Sequence, residues 1–421
     1  MKATYIIDFD STFTQVEALD ELARISLKNN PNKKILFQQI EELTNLSMNG
    51  QLSFRESLHQ RVNLLQANAS HLKQLITHLK KKVSASFLRN KAFFKANADN
   101  ILIVSGGFKE FITPVVLPYH IRKENIYAND FVFDESQNIV GYNVDNPLSK
   151  EGGKVMLLKQ LQLSGDIYGI GDGYSDLQLK EWGMIKKFYA FTENIERKAV
   201  SEKADHVTPS FDEFLYVNNL PMALSYPKNR ILCAVVGDIP DQAIDILKKD
   251  GFNVRVAASL KDLDLSEVDM MLLDATQKLN GLLLKDAAKL KTIGYLGNSK
   301  KDIPHDVCTQ MGIVLFDDPR HNARNTKFIP VRMIDFINKG HTYMSANFPN
   351  IQLPRIKMSN RLIHIHENVP GVMAQINHIF AQHAINIVGQ YLMTNAQIGY
   401  VITDISGEYD KKILQNLKKI N

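Results

Sequence analysis

A chain of 421 residues exceeds what one core of roughly 150 residues supports and predicts about three domains. With 44% hydrophobic and 23% charged residues the composition is globular, which excludes a disordered, collagenous or low-complexity protein. The 50 lysines and arginines against 45 acidic residues leave a net charge of +5 with no concentrated basic block, so we expect no nucleic acid and no membrane partner. The run Lys80-Lys81-Lys82 reads as a solvated helix end. Cys233 and Cys308 stand far apart, outside any CxxC or Cys/His cluster, which argues against a disulfide framework and a structural zinc site. No stretch approaches about 18 apolar residues, and Asp8 and Asp10 precede any signal-peptide core, so a cytoplasmic protein is expected.

In chain order, residues 3 to 7 read as a short buried strand that runs into Asp8-Phe9-Asp10-Ser11-Thr12. From about 15 to 95 apolar residues recur every three or four positions, which predicts an all-helical insert. Strand-length apolar runs return at residues 101 to 104 and 167 to 170, each ended by glycine-rich turns and followed by helical pattern. This alternation predicts a mainly parallel sheet. Prolines near Pro221 and Pro227 mark a boundary, after which a second α/β set has strands at 231 to 236, 270 to 273, 292 to 296 and 313 to 316. Another irregular stretch, from Ala346 to Pro354, precedes a strand, helix, strand, strand, helix order in residues 361 to 421. No internal repeat is evident.

Ligands of open α/β sheets bind beyond the carboxyl ends of the strands. Three predicted strands end in reactive or glycine-rich residues: Asp8 and Asp10; Ser105-Gly106-Gly107; and Gly171-Asp172-Gly173-Tyr174-Ser175-Asp176. The spacing of Asp8 and Asp10 puts both on one side if strand geometry persists. Clustered carboxylates repel, and a hard divalent cation with oxygen ligands, Mg2+ by preference, neutralises them. The glycines let the backbone approach a small anion.

These motifs, with Gly152-Gly153-Lys154, resemble the haloacid dehalogenase superfamily and within it the phosphoserine phosphatases, over about residues 1 to 220. The resemblance implies Asp8 as the nucleophile that forms an aspartyl-phosphate, Asp10 as the general acid and base, and Ser105 and Lys154 as ligands of the transferring phosphoryl oxygens. Mg2+ would be held by Asp8, Asp10 and Asp172, with Asp176 in or near that shell. Lys150, four residues from Lys154, is an alternative for the lysine role. The helical insert would be a substrate cap. Glu17, nine residues after Asp8, is implied as the partner of a substrate ammonium, and Arg61 as a bidentate grip on a substrate carboxylate. Met48, Phe54, Gly106 and Ser175 complete the implied substrate set; Ser175 departs from the Asn or Thr common in the family.

Residues 361 to 372 and 386 to 392 are similar to the ACT domain of bacterial D-3-phosphoglycerate dehydrogenase, a ferredoxin-like module that here ends before its fourth strand. The resemblance implies L-serine binding between subunits by His366, Asn368 and Asn386. His364 and His366 alternate on a strand, but no carboxylate or cysteine completes a metal set. Residues 228 to about 355 resemble the substrate-binding domain of the same dehydrogenase, in parts from Leu290 to Thr326 and from Asn338 to Pro349. The nucleotide-binding domain that separates these parts in the family has no counterpart, no GxGxxG follows a strand, and Leu273-Asp274-Ala275-Thr276 stands where the family has a substrate arginine, so dehydrogenase activity is not expected.

The expected fold is therefore α/β: a haloacid dehalogenase-like Rossmannoid parallel sheet with a cap over residues 1 to 222, a flavodoxin-like α/β domain over 228 to 355, and an α+β ACT domain over 360 to 421. The expected function is hydrolysis of O-phospho-L-serine to L-serine, the last step of serine biosynthesis, in a homodimer or higher homo-oligomer with L-serine as effector. Two alternatives stand: a phosphatase or phosphotransferase acting on another small phosphomonoester, and an inactive amino-acid sensor.

Overall fold

In the computed structural model, which describes residues 3–48, 51–224, 226–318, 326–354, 356, 359–406 and 411–420 with the side chains of Met48 and Lys411 left out, Thr4–Ile7 forms strand β1. Its apolar residues alternate between two cores. Tyr5 and Ile7 face one cluster with Ile101 and Ile103, while Ile6 faces another with Leu102, Val104, Leu158 and Leu177. A central strand of a parallel sheet is covered on both faces, so its sequence is continuously apolar.

Strands β2 (Ile101–Phe108), β3 (Ile126–Asn129), β6 (Ile167–Gly171), β7 (Lys187–Phe191) and β8 (His206–Thr208) complete a parallel sheet in the order β3-β2-β1-β6-β7-β8. Between β3 and β6, β4 (Phe131–Phe133) and β5 (Ile139–Tyr142) form a hairpin. The sequence does not announce β3, β7, β8 or the hairpin, which are segments of only three to five residues. The unit comprises Met1–Pro227.

The insert after β1 is helical, as expected: α1 (Ala18–Ser26), α2 (Lys33–Met48), α3 (Phe54–Leu64), α4 (Ala69–Leu79), α5 (Ala85–Arg89) and α6 (Lys91–Ala96). The Ser53 side chain caps α3 by accepting the Glu56 N–H at 3.3 Å, and Asn68 with His71 closes a capping box on α4. The link between α3 and α4 is tied to the hairpin, the Ile139 N–H donating to the Ala67 carbonyl at 2.9 Å and the Ala69 N–H to the Gln137 carbonyl at 3.0 Å. The last two helices of the insert join the core of the sheet through an aromatic cluster centred on Phe87, which stacks on Phe211 at 4.6 Å and touches Phe13, Phe94 and Phe191.

The second unit, Lys228–Asn421, contains two sheets. The first is parallel, β10-β9-β11-β12-β13, built from Leu232–Val236 (β9), Asn253–Ala257 (β10), Met270–Asp274 (β11), Thr292–Leu296 (β12) and Val314–Asp317 (β13). This is the flavodoxin-like strand order. The edge strand β10 is missed by the sequence reading because three of its five residues are exposed. The second sheet is antiparallel, β14-β16-β15, from Ser359–Glu367 (β14), Ile387–Thr394 (β15) and Ile398–Ser406 (β16), with helices Val372–Gln382 and Lys411–Leu417. The expected element order is present, and no fourth strand occurs among the described residues. Leu362, Val401 and Ile405 pack on the helices, whereas Ile398, Tyr400 and Ile402 share a core with Met333, Phe348 and Ile351 of the preceding segment.

Tyr400 anchors this shared core, fully buried and donating its hydroxyl to the Gly340 carbonyl at 2.9 Å. Tyr400→Phe should cost about 1 kcal/mol through the lost hydrogen bond, and Tyr400→Ala about 3–5 kcal/mol through the cavity, read as shifts of the denaturant midpoint.

Candidate active site

Strand pairing on β1 ends at Ile7, but Asp8 stays extended (φ −73°, ψ 161°) and points its carboxylate off the sheet end. The chain then makes a wide turn over residues 9 to 13, the Phe13 N–H donating to the Asp8 carbonyl at 3.3 Å and the Thr14 N–H to the Phe9 carbonyl at 2.9 Å. Asp10 keeps extended angles (φ −69°, ψ 138°), while Ser11 is left-handed at φ 53°. The spacing argument for Asp8 and Asp10 thus holds through backbone angles beyond the last paired residue, and both line one cavity of about 330 Å³.

That cavity also takes in Glu17, Phe54, Arg61, Ser105, Gly106, Lys154, Ser175 and Asp176, from the cap, β2, the helix that carries Lys154 and the first turn of the helix Tyr174–Glu181. Lys154 enters from the second residue of α7 (Gly153–Leu161). Its ammonium donates to Asp8 Oδ1 at 2.7 Å and Asp176 Oδ1 at 2.6 Å. Burial works against that charge, but the Asp176 and Asp8 carboxylates outweigh it and raise the lysine pKa. Lys150 is not among the residues that line the cavity. Ser105 is buried, and its hydroxyl oxygen accepts the Gly107 N–H at 2.9 Å. Burial, with Glu17 and Asp8 close by, pushes the Asp10 carboxyl well above the usual range; its Oδ1 accepts the Ala18 N–H at 2.8 Å.

The cap closes over the sheet end at two points. The Phe54 ring lies so close to Gly106 that a Cβ there would sit 2.5 Å from Cζ, which is a reason for glycine at 106. The Phe54 N–H donates to Glu151 Oε2 at 2.9 Å. Arg61, on α3, is buried, donates through Nη1 to Thr44 Oγ1 at 3.0 Å, and has its Nε without a partner among the described residues. An orphaned buried guanidinium N–H is costly unless a ligand receives it. Met48 ends α2, and its side chain lies outside the described part of the structure.

Asp172 is buried behind the cavity, where its Oδ1 accepts Thr12 Oγ1–H at 2.7 Å and its Oδ2 pairs with Arg197. Arg197 was not anticipated. It also reaches Glu17 Oε1 at 3.4 Å, and Glu17 accepts the Ser11 hydroxyl at 2.7 Å. The strand-end rule applied to β7 would have pointed to the run Thr192 to Arg197, had β7 been recognised. Asn194 in the same run donates to the Ser11 carbonyl at 2.9 Å and pins the turn after β1.

The oxygens that Asp8, Asp10, Glu17, Asp172 and Asp176 bring to this sheet end are hard donors, so the residues fit Mg2+ in donor chemistry. Among the described residues no three acidic, histidine or cysteine side chains form a ready-made metal shell. Asp176, expected in or near that shell, bonds Lys154 and accepts the Gly173 N–H at 3.2 Å.

The residues expected to hold L-serine are not gathered by one chain. Glu367, next to His366 and Asn368, pairs with Ile398, whereas Ile387, next to Asn386, pairs with Ile405 at the other end of β16, about 23 Å away at strand rise. His366 is buried against Gly399, and Asn368 Nδ2 donates to the Asn395 carbonyl at 2.8 Å. A site using all three needs a second copy of the chain.

Residues 6–181 match the model of haloacid dehalogenase-like hydrolases, and residues 362–421 that of the AHAS small subunit-like ACT domain. The chain therefore carries a haloacid dehalogenase-like domain and a C-terminal ACT domain. Over 212 residues it is 28% identical to the chloroplastic phosphoserine phosphatase of Arabidopsis thaliana, covering 49% of this chain and 69% of that one. The phosphoserine phosphatase of Drosophila melanogaster is 26% identical over 212 residues, 49% of this chain and 75% of the relative. A region of 91 residues is 45% identical to D-3-phosphoglycerate dehydrogenase of Escherichia coli (strain K12), 21% of this chain and 22% of the relative, so the chain spans about a fifth of that enzyme. No helix among the described residues is long and apolar enough to cross a membrane.

Burial pushes the Asp20 carboxyl up to about 7, against the pull of Arg61. A folded value above the unfolded one means that Asp20 contributes stability below the unfolded value and loses it as pH rises towards 7. Asp20→Asn lacks that loss. Its unfolding free energy relative to wild type, read from denaturant midpoints at each pH, should rise between pH 4 and pH 7 and level off above, by at most about 4 kcal/mol.

Proposed function

We propose that the first unit is a Mg2+-dependent phosphoserine phosphatase that hydrolyses O-phospho-L-serine to L-serine and phosphate. The observation that carries this reading is one cavity that collects Asp8, Asp10, Ser105 and Lys154 at the sheet end and Glu17 and Arg61 beside them. The first four suit a phosphoryl group; the last two, of opposite charge, suit the ammonium and carboxylate of an amino acid.

In this mechanism the Ser105 hydroxyl, the Gly106 N–H and the Lys154 ammonium hold the phosphoryl oxygens and place phosphorus in line with an Asp8 carboxylate oxygen. Asp8 forms the new P–O bond while the bond to the serine oxygen breaks, and Asp10 hands its proton to that leaving oxygen. Water then enters, gives a proton back to Asp10, and its oxygen attacks phosphorus to release phosphate and regenerate Asp8. Mg2+, held by Asp8, the Asp10 carbonyl and Asp172, would supply charge neutralisation of the phosphoryl group. Phe54 and the cap exclude water during the first transfer.

L-serine is the product, so an ACT domain that binds it would give feedback, and the separation of His366 and Asn368 from Asn386 favours a homodimer or higher homo-oligomer for that site. The activity belongs to the last step of serine biosynthesis in the cytoplasm.

Phosphate release from O-phospho-L-serine should require added Mg2+, vanish with a chelator and return with Mg2+. Asp8→Asn should lower kcat at least about a thousandfold. Wild type hydrolysing other phosphomonoesters equally well would favour the broader phosphatase, and inactivity on all would favour the sensor. If feedback operates, L-serine inhibits wild type and not His366→Ala.

A further inference from the structure

Arg61 is the site's grip on a substrate carboxylate, yet no carboxylate is hydrogen-bonded to it among the described residues. Its Nη1 bonds a hydroxyl instead. Thr44, on α2 and 2% exposed, accepts from Arg61 Nη1 at 3.0 Å and shares its single hydroxyl proton between Asp20 Oδ1 at 2.8 Å and the Ile40 carbonyl at 3.0 Å. Asp20 comes from α1 and Arg61 from α3, so one hydroxyl joins three helices of the cap.

The chemistry of this junction is directional. Arginine can only donate, a threonine hydroxyl accepts and donates, and a carboxylate accepts. Because Arg61 Nη1 can only donate, the Thr44 hydroxyl turns a lone pair towards it and its proton towards Asp20 Oδ1 and the Ile40 carbonyl. A direct Asp20–Arg61 ion pair would satisfy the guanidinium and compete with an incoming carboxylate. The interposed hydroxyl holds one nitrogen while Nε stays without a partner. A fixed guanidinium loses less freedom on binding than one that must be ordered by its ligand.

Building on the proposed phosphoserine phosphatase function, we propose that Thr44, anchored by Asp20, is a positioning residue that presets Arg61 for the α-carboxylate of the substrate and so discriminates amino-acid phosphates from phosphomonoesters without a carboxylate.

The test uses the full chain and two substrates, O-phospho-L-serine and O-phosphoethanolamine, which keeps the ammonium and phosphate but lacks the carboxylate. Thr44→Val preserves shape and removes the hydroxyl. It should raise KM for phosphoserine about tenfold, the scale of one hydrogen bond to a charged group, with kcat within about twofold and KM for phosphoethanolamine unchanged. Asp20→Ala should shift KM in the same selective way, and Thr44→Ser should restore wild-type values. Thermal midpoints of all variants report folding separately. Equal KM changes for both substrates, or none for either, would overturn the proposal and leave the phosphatase function standing. Wild type inactive on phosphoserine overturns that function and this proposal together.

Discussion

Negative charge concentrated at the end of one parallel sheet is the constraint from which the architecture of the first unit follows. Asp8, Asp10, Asp172 and Asp176 leave the carboxyl ends of β1 and β6 as near neighbours, and water is largely kept from them. Buried like charges are tolerated only when cations and hydrogen-bond donors are built around them. Lys154 from α7 and Arg197 after β7 meet that demand in the polypeptide, each spanning two acidic groups. Gly153 is pressed against the Pro147 carbonyl, where a Cβ would sit 2.2 Å away, so the helix that carries Lys154 starts as near to the preceding turn as backbone allows.

The same constraint explains the cap. A charged phosphoryl site gains strength when water is excluded, and the first three helices of the insert after the nucleophile line the cavity with the flanking Glu17 and with Arg61. The cap is held to the unit by the hairpin on one side and by Phe54 against Gly106 and Glu151 on the other. The second unit uses different physics. Its two sheets are joined through Tyr400 and neighbouring apolar residues, and among its described residues no cluster of metal-ligating side chains occurs.

The central strands were legible because burial on both faces demands continuous apolar runs, as in Ile101 to Val104 and Met270 to Leu273. Edge strands such as β10 and β8 were not, since exposure relaxes that demand. The cavity residues Asp8, Asp10 and Ser105 were legible because strand ends and glycine-rich turns are local patterns, whereas Lys154 was implied only by the family resemblance, with Lys150 beside it as an alternative. Arg197, Thr44 and Asp20 were invisible. Each matters through a partner tens of residues away, and nothing local distinguishes a buried arginine or threonine from one on a solvated face.

Taken alone, the amino-acid sequence determined which residues the sheet end would offer to a small anion, the helical character of the insert, and the strand and helix order of the ACT domain, all consequences of short-range periodicity and turn chemistry. Tertiary structure decided which charges neutralise which. It made Lys154 the lysine that meets Asp8, set Arg197 between Asp172 and Glu17, interposed Thr44 between Asp20 and Arg61, and parted Asn386 from His366. Electrostatic pairing depends on distance in space, which chain position does not encode.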